Sequence, residues 1–257
     1  QSIWTRMRIN KSLVAQGRWK ESLDEFESID KAVGNNERIK PIARMVDLRG
    51  LTWLHNGRAS DAARIFKGTL EWSSNNFGPN HYFTAFKRGL YGMALAKEDG
   101  KQETALQELE HAVRDLSAPD TLSTQFEETA FRLALRQDIY KTYIRLLANT
   151  QATNPGAAAQ AFAASNHLMA SGVQQAISEA AARAAIKKPG LGEVARLDQD
   201  AKAELTTLYG YIVSQVGESQ QQRMTPEVVK SMRLRVTELE GLRRTYKAQI
   251  QKEFPEY

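Results

Sequence analysis

Apolar residues recur along the chain at intervals of three and four, and no alternating run long enough to make a strand appears. Ile9, Leu13 and Val14 lead into Gly17 at helical spacing, and Ser22, Phe26 and Ile29 follow it in the same phase. The pattern then returns. Gly17, Trp19, Ser22, Phe26 and Ile29 are matched by Gly57, Ala59, Ala62, Phe66 and Thr69, and by Gly100, Gln102, Ala105, Leu109 and Ala112. The offsets from each glycine are 0, 2, 5, 9 and 12, and the glycines lie 40 and then 43 residues apart. Each unit therefore predicts a helix, a turn at Gly and a second helix folded back on the first.

Packing explains the residue types. The glycine accepts the left-handed conformation that ends the first helix. A small residue five positions on (Ser22, Ala62, Ala105) lets the second helix approach closely. A large one at nine (Phe26, Phe66, Leu109) fills the space towards the next unit. A Gly-rich phosphate loop is excluded at Gly17, because it needs further glycines and a preceding strand.

These offsets resemble the tetratricopeptide repeat (TPR) over about residues 5 to 117. Gly50 and Trp53 stand where that repeat has its first-helix Gly and Tyr. In the third unit Gly92 stands one place early and Met93 takes the expected position. In the first unit Asn10 replaces the Gly. The long period and "FGPNHYFTA" (77–85) resemble the kinesin light chain variant, with Tyr82 in place of its second Pro.

After "APD" (118–120) the helical phase continues while the signature fades. "TQFEETAFRLALRQDIYKTYIRLLANT" (124–150) carries Phe126, Ala130, Leu133, Tyr140, Tyr143 and Leu147 near one face. "NPG" (154–156) breaks it, an Ala-rich stretch covers 157–186, and "KKPGLGE" (187–193) breaks it again. Two long stripes then follow: Val194, Leu197, Ala201, Leu205, Leu208 and Ile212, and Met232, Val236, Leu239, Leu242, Tyr246 and Ile250. Thr225 and Pro226 start the second as N-cap and first helical residue. Facing stripes joined by a short polar turn predict an antiparallel hairpin. The expected fold is all-α: a TPR-like superhelix over 1–117, further helices continuing it over 118–188, and a coiled-coil-like hairpin over 189–257.

The second half resembles the region before the protease domain of bacterial CHAT-domain proteins, in which TPR units, an Ala-rich stretch and paired helices close on a Phe-Pro-x-Tyr sequence. Ala182, Arg183, Arg196, Asp198–Gln199–Asp200, Phe254, Pro255 and Tyr257 stand in the corresponding places. The resemblance implies a caspase-like cysteine peptidase domain downstream, with its His and Cys outside this chain. It also implies that Phe254 and Tyr257 abut that domain.

Composition narrows the chemistry. The chain has no cysteine, so it holds no disulfide, thiolate metal site or cysteine nucleophile. Its net charge is +5, but residues 189–257 are balanced and the excess earlier is scattered, which argues against nucleic acid. No run of 18 apolar residues predicts a membrane span. Residue 1 is Gln, which a cleaved export signal or a fragment would each explain; with the resemblance, this favours an exported bacterial protein over a cytoplasmic one. His55, His81, His111 and His167 are too scattered for a metal-binding motif, and Glu127–Glu128 and Asp198–Asp200 read as solvated helix faces. No cofactor, metal or catalytic group is expected.

Binding is the expected role. Counting back from each glycine, the outward positions of the first helices are Trp4, Met7 and Lys11; Arg44, Asp47, Leu51 and His55; and Lys87, Leu90, Ala94 and Lys97. Lys11, Arg44, Asp47, His55, Lys87 and Lys97 would line a mildly positive groove for a protein partner, such as an acidic or C-terminal peptide. The alternative is a free-standing TPR adaptor or structural protein with no attached enzyme.

Overall fold

A computed structural model describes residues 2–117, 130–152, 154–168, 190–214 and 225–253. Every regular element among them is helical: α1 (Ile3–Ala15), α2 (Trp19–Val33), α3 (Lys40–Ala43), α4 (Val46–His55), α5 (Ala59–Phe77), α6 (Tyr82–Leu95), α7 (Gln102–Leu116), α8 (Ala130–Thr150), α9 over residues 157–168, α10 (Leu191–Ser214) and α11 (Pro226–Glu253). Described residues up to 168 form one compact unit, and α10 with α11 belong to a second.

In the first unit the helices pack as consecutive pairs, α1 with α2, α4 with α5 and α6 with α7, and α8 lies against α6 and α7. The three repeated glycines adopt φ of 70°, 77° and 72°. After α1 and α4 they close the same cap. The N–H of Arg18 donates to the carbonyl of Leu13, and that of Arg58 to Trp53, each at 2.9 Å, which satisfies a carbonyl the helix end leaves open. The small residues at offset five (Ser22, Ala62, Ala105) are wholly buried, and the large ones at nine (Phe26, Phe66, Leu109) are at most 1% exposed.

Gly50 explains itself by proximity: a Cβ there would lie 2.5 Å from the Phe66 ring. Gly92 plays the same part in the third pair, since its Cβ would lie 2.7 Å from Leu109. Gly92 is therefore not displaced along its helix, as its distance from Gly100 suggests. The turn beyond it carries one extra residue and a different bond, Lys101 N–H to Glu98 O. In the first pair Asn10 fills the equivalent place and compensates for its polarity. It accepts from Ser22 Oγ at 2.6 Å, and Ser22 Oγ also bonds Thr52 Oγ1 at 2.8 Å. That seam ties α1, α2 and α4 together, and Asn56 adds a bond to the carbonyl of Trp19.

"FGPNHYFTA" is a capping device. Gly78 turns the chain at φ 97°, Thr84 Oγ1 donates to its carbonyl, and His81 caps α6 by accepting from Phe83 N. α6 is buried along most of its length; a Cβ at Gly89 would meet Ile139 of α8 at 2.5 Å, so these two helices approach closely.

In the second unit α10 and α11 run antiparallel, as the pairs Asp198–Arg243 and Glu204–Arg235 require. The core residues are Val194, Ala201, Leu205, Tyr209 and Ile212 from α10 and Val236 and Leu239 from α11. The expected stripes are corrected in part: Leu208, Met232, Tyr246 and Ile250 are half-buried, and Tyr209 takes the core place expected of Leu208. Leu242 is 37% exposed, and Arg243 takes the seam at 3%. Leu197 is only half-buried, and the salt bridge leaves the Asp198 side chain 19% exposed. The N-cap of α11 is weak: Val228 N reaches Thr225 Oγ1 only at 3.5 Å. Phe126, Ala182, Arg183, Phe254, Pro255 and Tyr257 lie outside the described residues.

Candidate functional site

The expected groove does not assemble as one strip. Met7, Leu51, Leu90 and Ala94 were expected to face outward and are instead buried, at 7%, 0%, 0% and 0% exposure. The reason is packing: α4 lies against α1, α2 and α5, and α6 against α5, α7 and α8, so the middles of these first helices have little open face. Lys11 and Lys97 remain exposed on α1 and just after α6. Lys87 pairs with Asp47, which joins α6 to α4 and cancels the positive charge expected there. The second carboxylate oxygen of Asp47 is buried and has no hydrogen-bond partner.

His55 stacks flat on Trp19, with ring centroids 3.9 Å apart and planes 3° from parallel. Burial lowers its basicity first, and the Lys97 cation lowers it further, against a smaller opposing pull from Asp138. His55 thus closes the end of α4 over the start of α2, and Lys97 and Asp138 are its charged neighbours.

Arg44 lies elsewhere. It ends α3 and lines a cleft of about 620 Å³ formed by α2, α3, α4 and α5. On α4 the cleft is lined by Val46, Arg49 and Trp53. At about 100° per residue these project from the side of the helix opposite Asp47, Leu51 and His55. Val33 and Ala43 form buried parts of the floor, and Ile65 and Trp53 are half-buried walls.

The cleft walls carry four cations, Lys40, Arg44, Arg49 and Arg64, against two carboxylates, Asp30 and Asp61. Both carboxylates are already engaged. Arg49 holds Asp30 through two bonds of 2.8 and 2.7 Å and lies over the ring of Phe26 at 4.3 Å. Arg58 and Arg64 both pair with Asp61, and Arg58 also lies over the ring of Trp53. Arg44 is exposed and makes no ion pair with a described residue. The residue after it, Met45, is the one described non-glycine residue with positive φ, at 42°.

This cleft has a faint signal in the sequence. The 40-residue spacing between Gly17 and Gly57 exceeds the ~34 residues of a minimal helix pair array, so the surplus had to go somewhere. It forms the 34–45 connection and α3, which wall the cleft. Nothing in the local residue pattern identifies the cleft lining itself.

Among the described residues no cluster of three or more His, Asp or Glu side chains is placed to hold a metal ion, and no helix is long and apolar enough to cross a membrane. No protein-family model, curated protein or solved structure matches the chain.

Proposed function

We propose that this chain is a non-catalytic protein–protein interaction scaffold of the tetratricopeptide type. The observation that carries the reading is the equivalence of the three helix pairs. The same offsets from each glycine carry the same buried small and large residues, and the first-helix position seven or eight residues before the glycine packs on the second helix of its own pair: Gly50 on Phe66, Gly92 on Leu109, and Asn10 on the small residue Ser22. Repeated pairs of this kind present broad side-chain surfaces instead of an enclosed reaction pocket. The chain's own chemistry supports binding over catalysis: it has no cysteine, its His81 is used as a cap and its His55 is stacked on an indole.

The resemblance of the second half to CHAT-domain proteins extends the proposal. The scaffold would bind a partner or peptide and position or restrain a caspase-like cysteine peptidase domain beyond residue 257. The paired helices α10 and α11 support this reading, because a long antiparallel hairpin is a stiff spacer. Two assays test it. The 257-residue chain should retain a defined partner and turn over no fluorogenic peptide. The protein as encoded should cleave peptides in a manner that iodoacetamide abolishes, and that thiol must lie outside this cysteine-free chain. Absence of thiol-dependent cleavage removes the protease half of the proposal and leaves an adaptor.

A further inference from the structure

We propose that the cleft between α2, α3, α4 and α5 docks an extended peptide of a partner protein, and that this peptide presents a carboxylate beside a large apolar side chain. The proposal rests on the scaffold reading and gives it a specific site and ligand chemistry.

Charge points to the carboxylate. The wall holds four cations and two carboxylates; both carboxylates are spent on Arg49, Arg58 and Arg64, and Lys40 pairs with Glu37 beside the cleft, which leaves Arg44 as the cleft cation without an ion-pair partner among the described residues. The group the cleft lacks is an anion opposite Arg44. Shape and polarity point to the apolar side chain. Below Arg44 the cleft is lined by Val46, Trp53 and Ile65, and a small inorganic anion would leave that surface wet. A nucleic acid fits poorly, because a continuous run of phosphates would face Asp30 and Asp61 as well as the cations. A peptide can place single carboxylates where the cations are and keep uncharged residues elsewhere.

The backbone at this point is held in place before any ligand arrives. Met45 sits in the left-handed region, where a side chain is disfavoured. The Arg44 carbonyl accepts from Arg49 Nε at 3.1 Å, and Arg49 is itself locked on Asp30. Arg44 is therefore carried on a fixed corner. Sparsely populated backbone conformations of this kind gather at ligand clamps.

The test uses the whole chain and three labelled nine-residue peptides. The first has Glu residues flanking one Phe; the second has Lys in place of each Glu; the third keeps the Glu residues and has Ala for Phe. Fluorescence anisotropy should show the first binding at least tenfold more tightly than the other two, with affinity falling as salt rises. Arg44→Glu and Arg44→Gln should each weaken it at least tenfold, and circular dichroism checks that both variants keep their helix content. Lys11→Glu with Lys97→Glu, away from the cleft, should leave it unchanged. Equal binding of the Lys peptide, or wild-type affinity in both Arg44 variants, overturns the proposal. Loss of binding in the Lys11, Lys97 variant alone also overturns it while leaving the scaffold reading intact. If no peptide binds and the chain retains no partner, both readings fall.

Discussion

Arg243 and Asp198 form a bidentate pair across the α10–α11 hairpin, at 2.6 and 2.8 Å, with the Arg243 side chain 3% exposed. Each stands in the apolar stripe of its own helix. Val194, Asp198, Ala201 and Leu205 follow one another at intervals of four, three and four, as do Met232, Val236, Leu239 and Arg243 when read from 232. The pair thus occupies facing core positions of a coiled-coil seam. Arg243 Nη1 finds no partner there, so the site is only partly satisfied.

Removing one member should cost far more than removing both. Arg243→Ala leaves the Asp198 carboxylate, only 19% exposed, without its partner and should destabilise the hairpin by up to about 3 kcal/mol, the low end for breaking a buried pair because Asp198 still reaches water. Arg243→Leu with Asp198→Leu should be near neutral or stabilising. Amide exchange in α10 and α11 reads both effects. The double variant should also lose a unique register, visible as a mixture of oligomers in sedimentation. A single Arg243→Ala with unchanged exchange protection would show that the pair does not hold the hairpin.

His81 should make the first unit acid-sensitive. Burial pushes its pKa down to about 4, from near 6.5 in an unfolded chain. The folded state therefore binds fewer protons between those values. The stabilisation is complete above pH 6.5 and is lost as pH falls towards 4, by at most about 3 kcal/mol. His81→Asn keeps an acceptor for Phe83 N and removes the titration, so the urea midpoint should vary less between pH 6.5 and 4 than in wild type. Parallel pH profiles for the two proteins would count against His81 as the source.

Three glycines should respond in different ways to alanine. At Gly50 the new methyl would press on Phe66 and Ile65, at 2.5 and 2.9 Å, and should cost about 1–3 kcal/mol. Gly57 has open space but a φ of 77°, so Gly57→Ala should cost about 1–2 kcal/mol through backbone strain alone. Gly68 lies in α5 with nothing within 4 Å and no unusual φ, and Gly68→Ala should stabilise by about 0.5–1 kcal/mol. Thermal unfolding of the three variants checks the order; a stabilising Gly50→Ala would mean that α4 and α5 can move apart.

The long helices and the internal logic of each helix pair are legible in the residue pattern alone. Helical phase is carried by neighbouring residues, and the turn at Gly17 and the close approach of the two helices at offset five are set within one pair, so they repeat wherever a pair repeats, whereas Ser22 and Phe26 also meet Thr52 and Arg49 of the next pair. Features set by a second neighbour were decided only by the tertiary structure. Leu51 and Leu90 lie on faces that look open when a pair is considered alone and are closed by the helices around it. Lys87 and Asp47 are 40 residues apart, and only the packing of α4 and α6 on the same helix, α5, makes them a pair. Spacing permits either Leu242 or Arg243 in the α11 seam, since three and four residues are both helical steps; Asp198 on the facing helix selects the arginine. The cleft at Arg44 is the same kind of feature. Four separate elements line it, and local periodicity describes one element at a time.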